Sequence, residues 1–101
     1  MSMKPEAKLK MAFRAYMKKR GAYHFAPVQT GYGKRTVDDI FCLKGRFIGA
    51  EAKAPGRYKQ PWDGCSGPQK QALLEIAQAG GVAICYDDVQ YAIGIVETQI
   101  P

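Results

Sequence analysis

Two strand-like runs, Val37 to Leu43 and Arg46 to Lys53, are hinged at Lys44-Gly45, and nothing else in the chain restricts its fold as tightly. A short, glycine-containing connection between such runs is a hairpin signal, so the two should pair antiparallel. Alternate residues of each then face opposite sides of the sheet. The loop length decides which residues share a side. A three-residue loop with Gly45 in the left-handed position aligns Asp39 diagonally with Glu51, whereas a two-residue loop sets Asp38 directly opposite it.

The flanking segments supply the rest of a small α/β domain. Leu9, Phe13, Tyr16 and Met17 recur at helical intervals from Pro5 to about Arg20, where Gly21 stops the pattern. Tyr23 to Val28 reads as a short strand, and Gln29 to Arg35 as a loop. Ala54 to Gly64, with Pro55, Gly56, Pro61 and Gly64, must be irregular. Ser66 and Gln69 fit a capping box ahead of a helix with Leu73, Ile76 and Ala77 inward, closed by Gly80-Gly81. Val82 to Tyr86 is a further strand. Asp88 caps a last helix with Val89, Ala92, Ile93 and Val96 inward, although Gly94 weakens it and leaves a strand open. The order α-β-β-β-α-β-α predicts a mixed β-sheet flanked by helices. At 101 residues the chain has room for a single domain, 1–101.

Charge is distributed unevenly. Residues 1–62 carry fourteen Lys or Arg against four Asp or Glu, a net +10, while residues 63–101 carry one against five, a net −4. A basic half of this kind suits a polyanion such as nucleic acid, with a solubilising surface as the plainer reading. No apolar run is long enough for a membrane span and the first ten residues lack a signal-peptide core, so a cytoplasmic location is expected, with no membrane partner. Cys42, Cys65 and Cys85 show no zinc spacing, and a single histidine, His24, argues against imidazole-rich metal sites and a Ser-His or Cys-His nucleophile. The loop Gly31 to Thr36 superficially suggests a phosphate-binding Walker loop. Val28 stands at its first glycine position and Arg35 where Ser or Thr must hold magnesium, so a nucleotide cofactor is rejected.

The chemistry centres on Glu51-Ala52-Lys53, which puts a carboxylate and an ammonium on one strand face. An aspartate from the hairpin's first strand completes an acidic pair, and a hard divalent cation is the usual way for two such acids to stay ionised together. Magnesium there would polarise a phosphate oxygen and lower the pKa of a bound water, with Lys53 positioning that water or offsetting charge at phosphorus. Glu6 falls near the centre of the first helix's apolar stripe, either as a first-turn glutamate or as a further member of the acidic cluster. Lys34, Arg35, Arg57 and Lys59, with Tyr58 and Trp62 beside the last two, and Arg14 and Lys18 on the first helix, are candidates to grip nucleic acid.

Asp39-Ile40, Gly45 through Lys53, Gln69 opening a helix and Gly80-Gly81 closing it together resemble the VRR-NUC nucleases of the PD-(D/E)xK superfamily, over about Gly33 to Tyr86. The resemblance implies a PD-(D/E)xK core in which Asp39, Glu51 and the Ala52 carbonyl bind Mg2+, with Mn2+ as a substitute. It makes Lys53 the catalytic lysine and Gln69 the supporting helix residue, and it suggests that Glu6 joins the metal as a first-helix glutamate does in related junction-resolving nucleases. Val37-Asp38 departs from the family pattern, standing where the superfamily label suggests a proline before the aspartate. The implied protein is a stand-alone, phage-type DNA endonuclease acting on Holliday junctions or other branched DNA as a homodimer. A flap or nicking nuclease and a non-catalytic nucleic-acid-binding module are the alternatives.

Overall fold

The computed structural model describes residues 3–28 and 36–101. Helix α1 spans Pro5–Lys19, with proline in the first turn, where its missing N–H is harmless, and Lys18 and Lys19 complementing the dipole at the other end. It closes in a Schellman arrangement, Ala22 N–H donating to Met17 O and Gly21 N–H to Lys18 O. Strand β1 is confined to Tyr23–Phe25, shorter than the expected run to Val28. Strands β2 (Asp39–Leu43) and β3 (Arg46–Ala52) form the hairpin. A 3-10 turn at Pro61–Gly64 interrupts the irregular segment and leads to α2 (Gly67–Gln78), then β4 (Val82–Tyr86) and α3 (Val89–Gln99). The last segment is helical despite Gly94, because Asp88 accepts hydrogen bonds from the Gln90 and Tyr91 N–H groups and Ala92 and Val96 are buried.

The strands form one mixed sheet ordered β1-β2-β3-β4, antiparallel except for the β3–β4 pair, which α2 connects in parallel. Lys44 and Gly45 both have positive φ, 51° and 78°, so the hairpin turn is the two-residue kind whose twist matches its strands. Leu43 accordingly pairs with Arg46, and the register runs back to Asp39 opposite Ala50.

Each face of the sheet is covered differently. On one, Phe41, Leu43, Ile48, Ala50, Ala52, Ile84 and Tyr86 pack against Phe13 and Met17 of α1 and Ala92 and Val96 of α3. On the other, Val37 and Cys85 pack with Cys65, Ala72 and Leu73, and Trp62 and Ile76 close over the rim. The inward side of α2 is therefore Gln69, Ala72, Leu73 and Ile76, whereas the expected Ala77 is exposed. Helix α2 approaches β3 so closely that a Cβ on Gly49 would collide with Ile76 Cδ1 and lie 3.3 Å from Val37 Cγ2. Glycine at position 49 thus sets how deeply the helix carrying Gln69 sits against the strand carrying Glu51.

Candidate active site

The hairpin register determines which acid meets Glu51. Extending the pairing of Asp39 with Ala50 by one residue puts Asp38, not Asp39, across from Glu51 and on the same face. The contacts agree: the Asp38 N–H donates to Glu51 Oε1 at 3.1 Å, and the Ala52 N–H donates to Asp38 Oδ2 at 3.3 Å. The expectation that Asp39 shares the site with Glu51 is therefore corrected to Asp38. Asp39 would need a three-residue loop, and the turn has two.

Glu51 is 2% exposed, with Cys85 as its strand partner on β4. Lys53 Nζ lies 3.4 Å from Glu51 Oε2, on the same strand face two residues on. The N-terminus of α2 delivers the fourth component. Gln69 Nε2 donates to Glu51 Oε2 at 2.9 Å, while Gln69 Oε1 accepts from Lys53 Nζ at 3.2 Å and from the Ser66 N–H at 2.9 Å. The Gln69 N–H in turn donates to Ser66 Oγ at 3.3 Å. One side chain therefore both completes the capping box and bonds to Glu51 and Lys53 together.

The electrostatics follow from burial and crowding. Burial first, then the neighbouring Asp38 charge, pushes Glu51 from 4.5 up to about 7, with Lys53 pulling the other way. Burial disfavours the Lys53 ammonium, but the charge of Glu51, followed by those of Cys65 and Glu6, outweighs it and raises the lysine. Glu6, half-buried near the start of α1, is thus close enough for its charge to act on Lys53. Behind Glu51 the Cys65 and Cys85 sulfurs lie 3.3 Å apart as buried free thiols, and burial raises Cys85 strongly.

Asp39 occupies the opposite face. It is 1% exposed, and its Oδ1 takes Arg14 Nε at 2.9 Å, Arg14 Nη2 at 2.8 Å and His24 Nε2 at 2.6 Å. Its Oδ2 and the Tyr86 hydroxyl are buried without hydrogen-bond partners among the described residues. Tyr86 is raised by burial and then by the charges of Asp39 and Asp38. No local pattern announces that His24, Arg14 and Asp39 meet, because β1 and β2 are brought together across a long connection. The thiol pair was equally hidden, its members lying twenty residues apart.

Among the expected nucleic-acid contacts, Lys18, Arg57 and Lys59 are exposed, Arg57 lying 5.7 Å over the Tyr58 ring. Arg14 is engaged with Asp39, Trp62 packs on the core, and Lys34 and Arg35 lie outside the described residues. Among the described residues, no three His, Cys, Asp or Glu side chains converge as a ready-made metal cage. No helix there is long and apolar enough to cross a membrane. Compared with models of known protein families, with curated proteins and with solved structures, the chain gives no match.

Proposed function

We propose that this chain is a magnesium-dependent DNA endonuclease with a PD-(D/E)xK-type site, built from Asp38, Glu51, Lys53 and Gln69. The reading is carried by one observation: two carboxylates from adjacent strands, a lysine and a helix-borne glutamine meet at one end of the sheet. Magnesium commonly takes only one or two carboxylates, keeping waters and substrate phosphates as its other ligands, so this hard-oxygen pair fits it without a larger cage. Asp38 and Glu51 would hold the ion. The Ala52 carbonyl, on the strand edge whose N–H meets Asp38, would add to them, and Glu6 would stand beside the cluster. When bound, the ion supplies Lewis-acid polarisation of a phosphate oxygen and an acidified water.

The chain's own residues do the remainder. Lys53, held between Glu51 and Gln69, presents its ammonium where it can orient an attacking water and offset charge developing at phosphorus. Gln69, fixed at both ends of its amide, prevents Glu51 from rotating away. Exposed Lys18, Arg57 and Lys59 contribute sequence-independent attraction to the phosphate backbone. A domain of this size offers little surface for base readout, which favours branched substrates such as Holliday junctions, cut by two sites of a homodimer.

A non-catalytic nucleic-acid-binding module is the competing reading, favoured by the way both Glu51 oxygens already accept hydrogen bonds from protein. Incubating the protein with labelled four-way junction and linear duplex, with magnesium or with chelator, separates the two. Magnesium-dependent cleavage that Lys53→Ala abolishes with DNA affinity retained supports the nuclease. Salt-sensitive binding with no cleavage under any divalent ion supports the module.

A further inference from the structure

Asp39 and its partners have no part in the site just described, yet they occupy the same end of the sheet. Consecutive strand residues point to opposite faces with Cα atoms about 3.8 Å apart. Asp38 and Asp39 therefore mark the two sides of one strand end. Asp39 is buried, but both side chains bonded to it reach the surface, that of Arg14 being 36% exposed and that of His24 33%. Both side chains are also held in place. Arg14 meets Asp39 through Nε and Nη2, and the His24 ring stacks on Phe41 at 4.7 Å with the planes 24° apart. A guanidinium has five N–H donors, so Arg14 keeps several for a ligand after binding Asp39.

The surroundings of Arg14 suggest what that ligand is. Glu6, Lys10, Arg14 and Lys18 succeed one another at four-residue intervals along α1 and so form a single row on the helix. The row starts at Glu6, whose charge reaches Lys53, and passes through three cations, Arg14 lying about 12 Å along the axis from Glu6. We propose that Arg14 and His24, fixed from beneath by Asp39, form a phosphate-gripping site that holds the DNA strand on the side of β2 opposite Asp38 and Glu51. This inference rests on the nuclease reading and deepens it. Asp39 is a positioning residue, acting through Arg14 and His24, and the ligand is a backbone phosphate flanking the one that is cleaved.

The test measures binding of a fluorescein-labelled four-way junction by anisotropy across a series of salt concentrations in chelator, and kcat and KM in magnesium. Removing Arg14 alone strands the Asp39 charge and risks unfolding, so the main variant is Arg14→Gln/Asp39→Asn. His24→Gln, which leaves the Arg14–Asp39 pair in place, is the second. The double variant should bind about tenfold more weakly, with the slope of log affinity against log salt reduced by about one. His24→Gln should weaken binding about threefold or more. Both should raise KM while kcat at saturating DNA changes little, and Arg14→Lys, which keeps the charge, should recover most of the salt slope. A folded double variant with wild-type affinity and slope would show that Arg14 merely neutralises Asp39 and would overturn the inference. Should the double variant not fold, unchanged binding by His24→Gln overturns it. Wild-type protein that neither binds nor cleaves the junction removes the nuclease reading as well, whereas wild-type cleavage with unaltered variants removes only this site.

Discussion

Asp38 and Asp39 are chemically identical neighbours that the fold treats in opposite ways. Asp38 faces α2, beside the buried Glu51, whose pKa its charge helps to raise, and Asp39 faces α1, where an arginine pairs with it and a histidine hydrogen-bonds to it. The first arrangement crowds like charges together, whereas in the second Asp39 Oδ1 is paired with Arg14 while Oδ2 stays buried without a hydrogen-bond partner among the described residues. A strand end can therefore carry a close acidic pair, only partly offset by Lys53, on one face while the other face holds Arg14 and His24 against an aspartate, and only the period of two separates them. Crowded acids of this kind are what a divalent ion stabilises, and for that reason the proposed function rests on the Asp38 face.

The strongest way to break the comparison is to remove one acid at a time. Asp38→Asn and Lys53→Ala should each reduce cleavage of a branched substrate by about 100-fold or more in kcat, since each removes charge or a donor from the reacting centre. Gln69→Ala, acting through Glu51 and Lys53, should cost about 10- to 100-fold. Asp39→Asn should instead act on stability and KM. If Asp39→Asn abolished kcat while Asp38→Asn left it intact in a folded protein, the roles of the two faces would be reversed.

A second contrast is readable in pH. The carboxyl of Glu51 stands at about 7 against 4.5 for an ordinary glutamate, so between those values the folded chain binds a proton that the unfolded chain has released. The metal-free protein should therefore be most favoured below about 4.5 as far as Glu51 is concerned, and should lose that contribution as pH rises through 7. The full difference corresponds to about 3 kcal/mol. Denaturant unfolding of the wild type and of Glu51→Gln across this range checks it: the wild type should lose stability relative to the variant as pH rises. Added magnesium should reverse the loss near neutrality, because the ion replaces the proton. Parallel curves for the two proteins would mean that Glu51 is not the strained acid.

Much of the fold was legible in the sequence, because most elements are bounded by local chemistry. Gly21, Ser66, Gly80 and Asp88 each mark a helix end through contacts within a few residues: α1 ends, α2 begins and ends, and α3 begins where those residues predict. Glu51, Lys53 and Gln69 were equally visible, as a strand triplet and a helix start. The partner acid was narrowed only to Asp38 or Asp39, because a positive φ at Lys44, a non-glycine residue, sets the two-residue turn and hence the register, and residue type alone fixes that weakly. The His24 cluster was out of reach for a different reason. His24 pairs with Phe41, so Asp39 is its diagonal neighbour only once β1 docks on β2, a non-local event with no sequence period to announce it.

The smallest expected effect sharpens the comparison most, because it uses the same perturbation on both faces. Ser66 caps α2 on the Asp38 side, and Asp88 caps α3, which packs on the Asp39 side. Ser66→Ala and Asp88→Ala should each destabilise the fold by about 1 kcal/mol, as loss of a helix N-cap generally does. Their functional consequences should diverge. Ser66 is bonded to Gln69, whose amide holds both Glu51 and Lys53, so loosening that cap should lower kcat several-fold with DNA affinity unchanged. The Asp88 carboxylate bonds its own helix start, so its variant should melt earlier yet cleave at the wild-type rate below its transition. Thermal melting and single-turnover cleavage of the two variants are sufficient to decide it. Equal losses of activity would mean that the α2 cap serves stability alone and that Gln69 is held by Glu51 and Lys53 without help from Ser66.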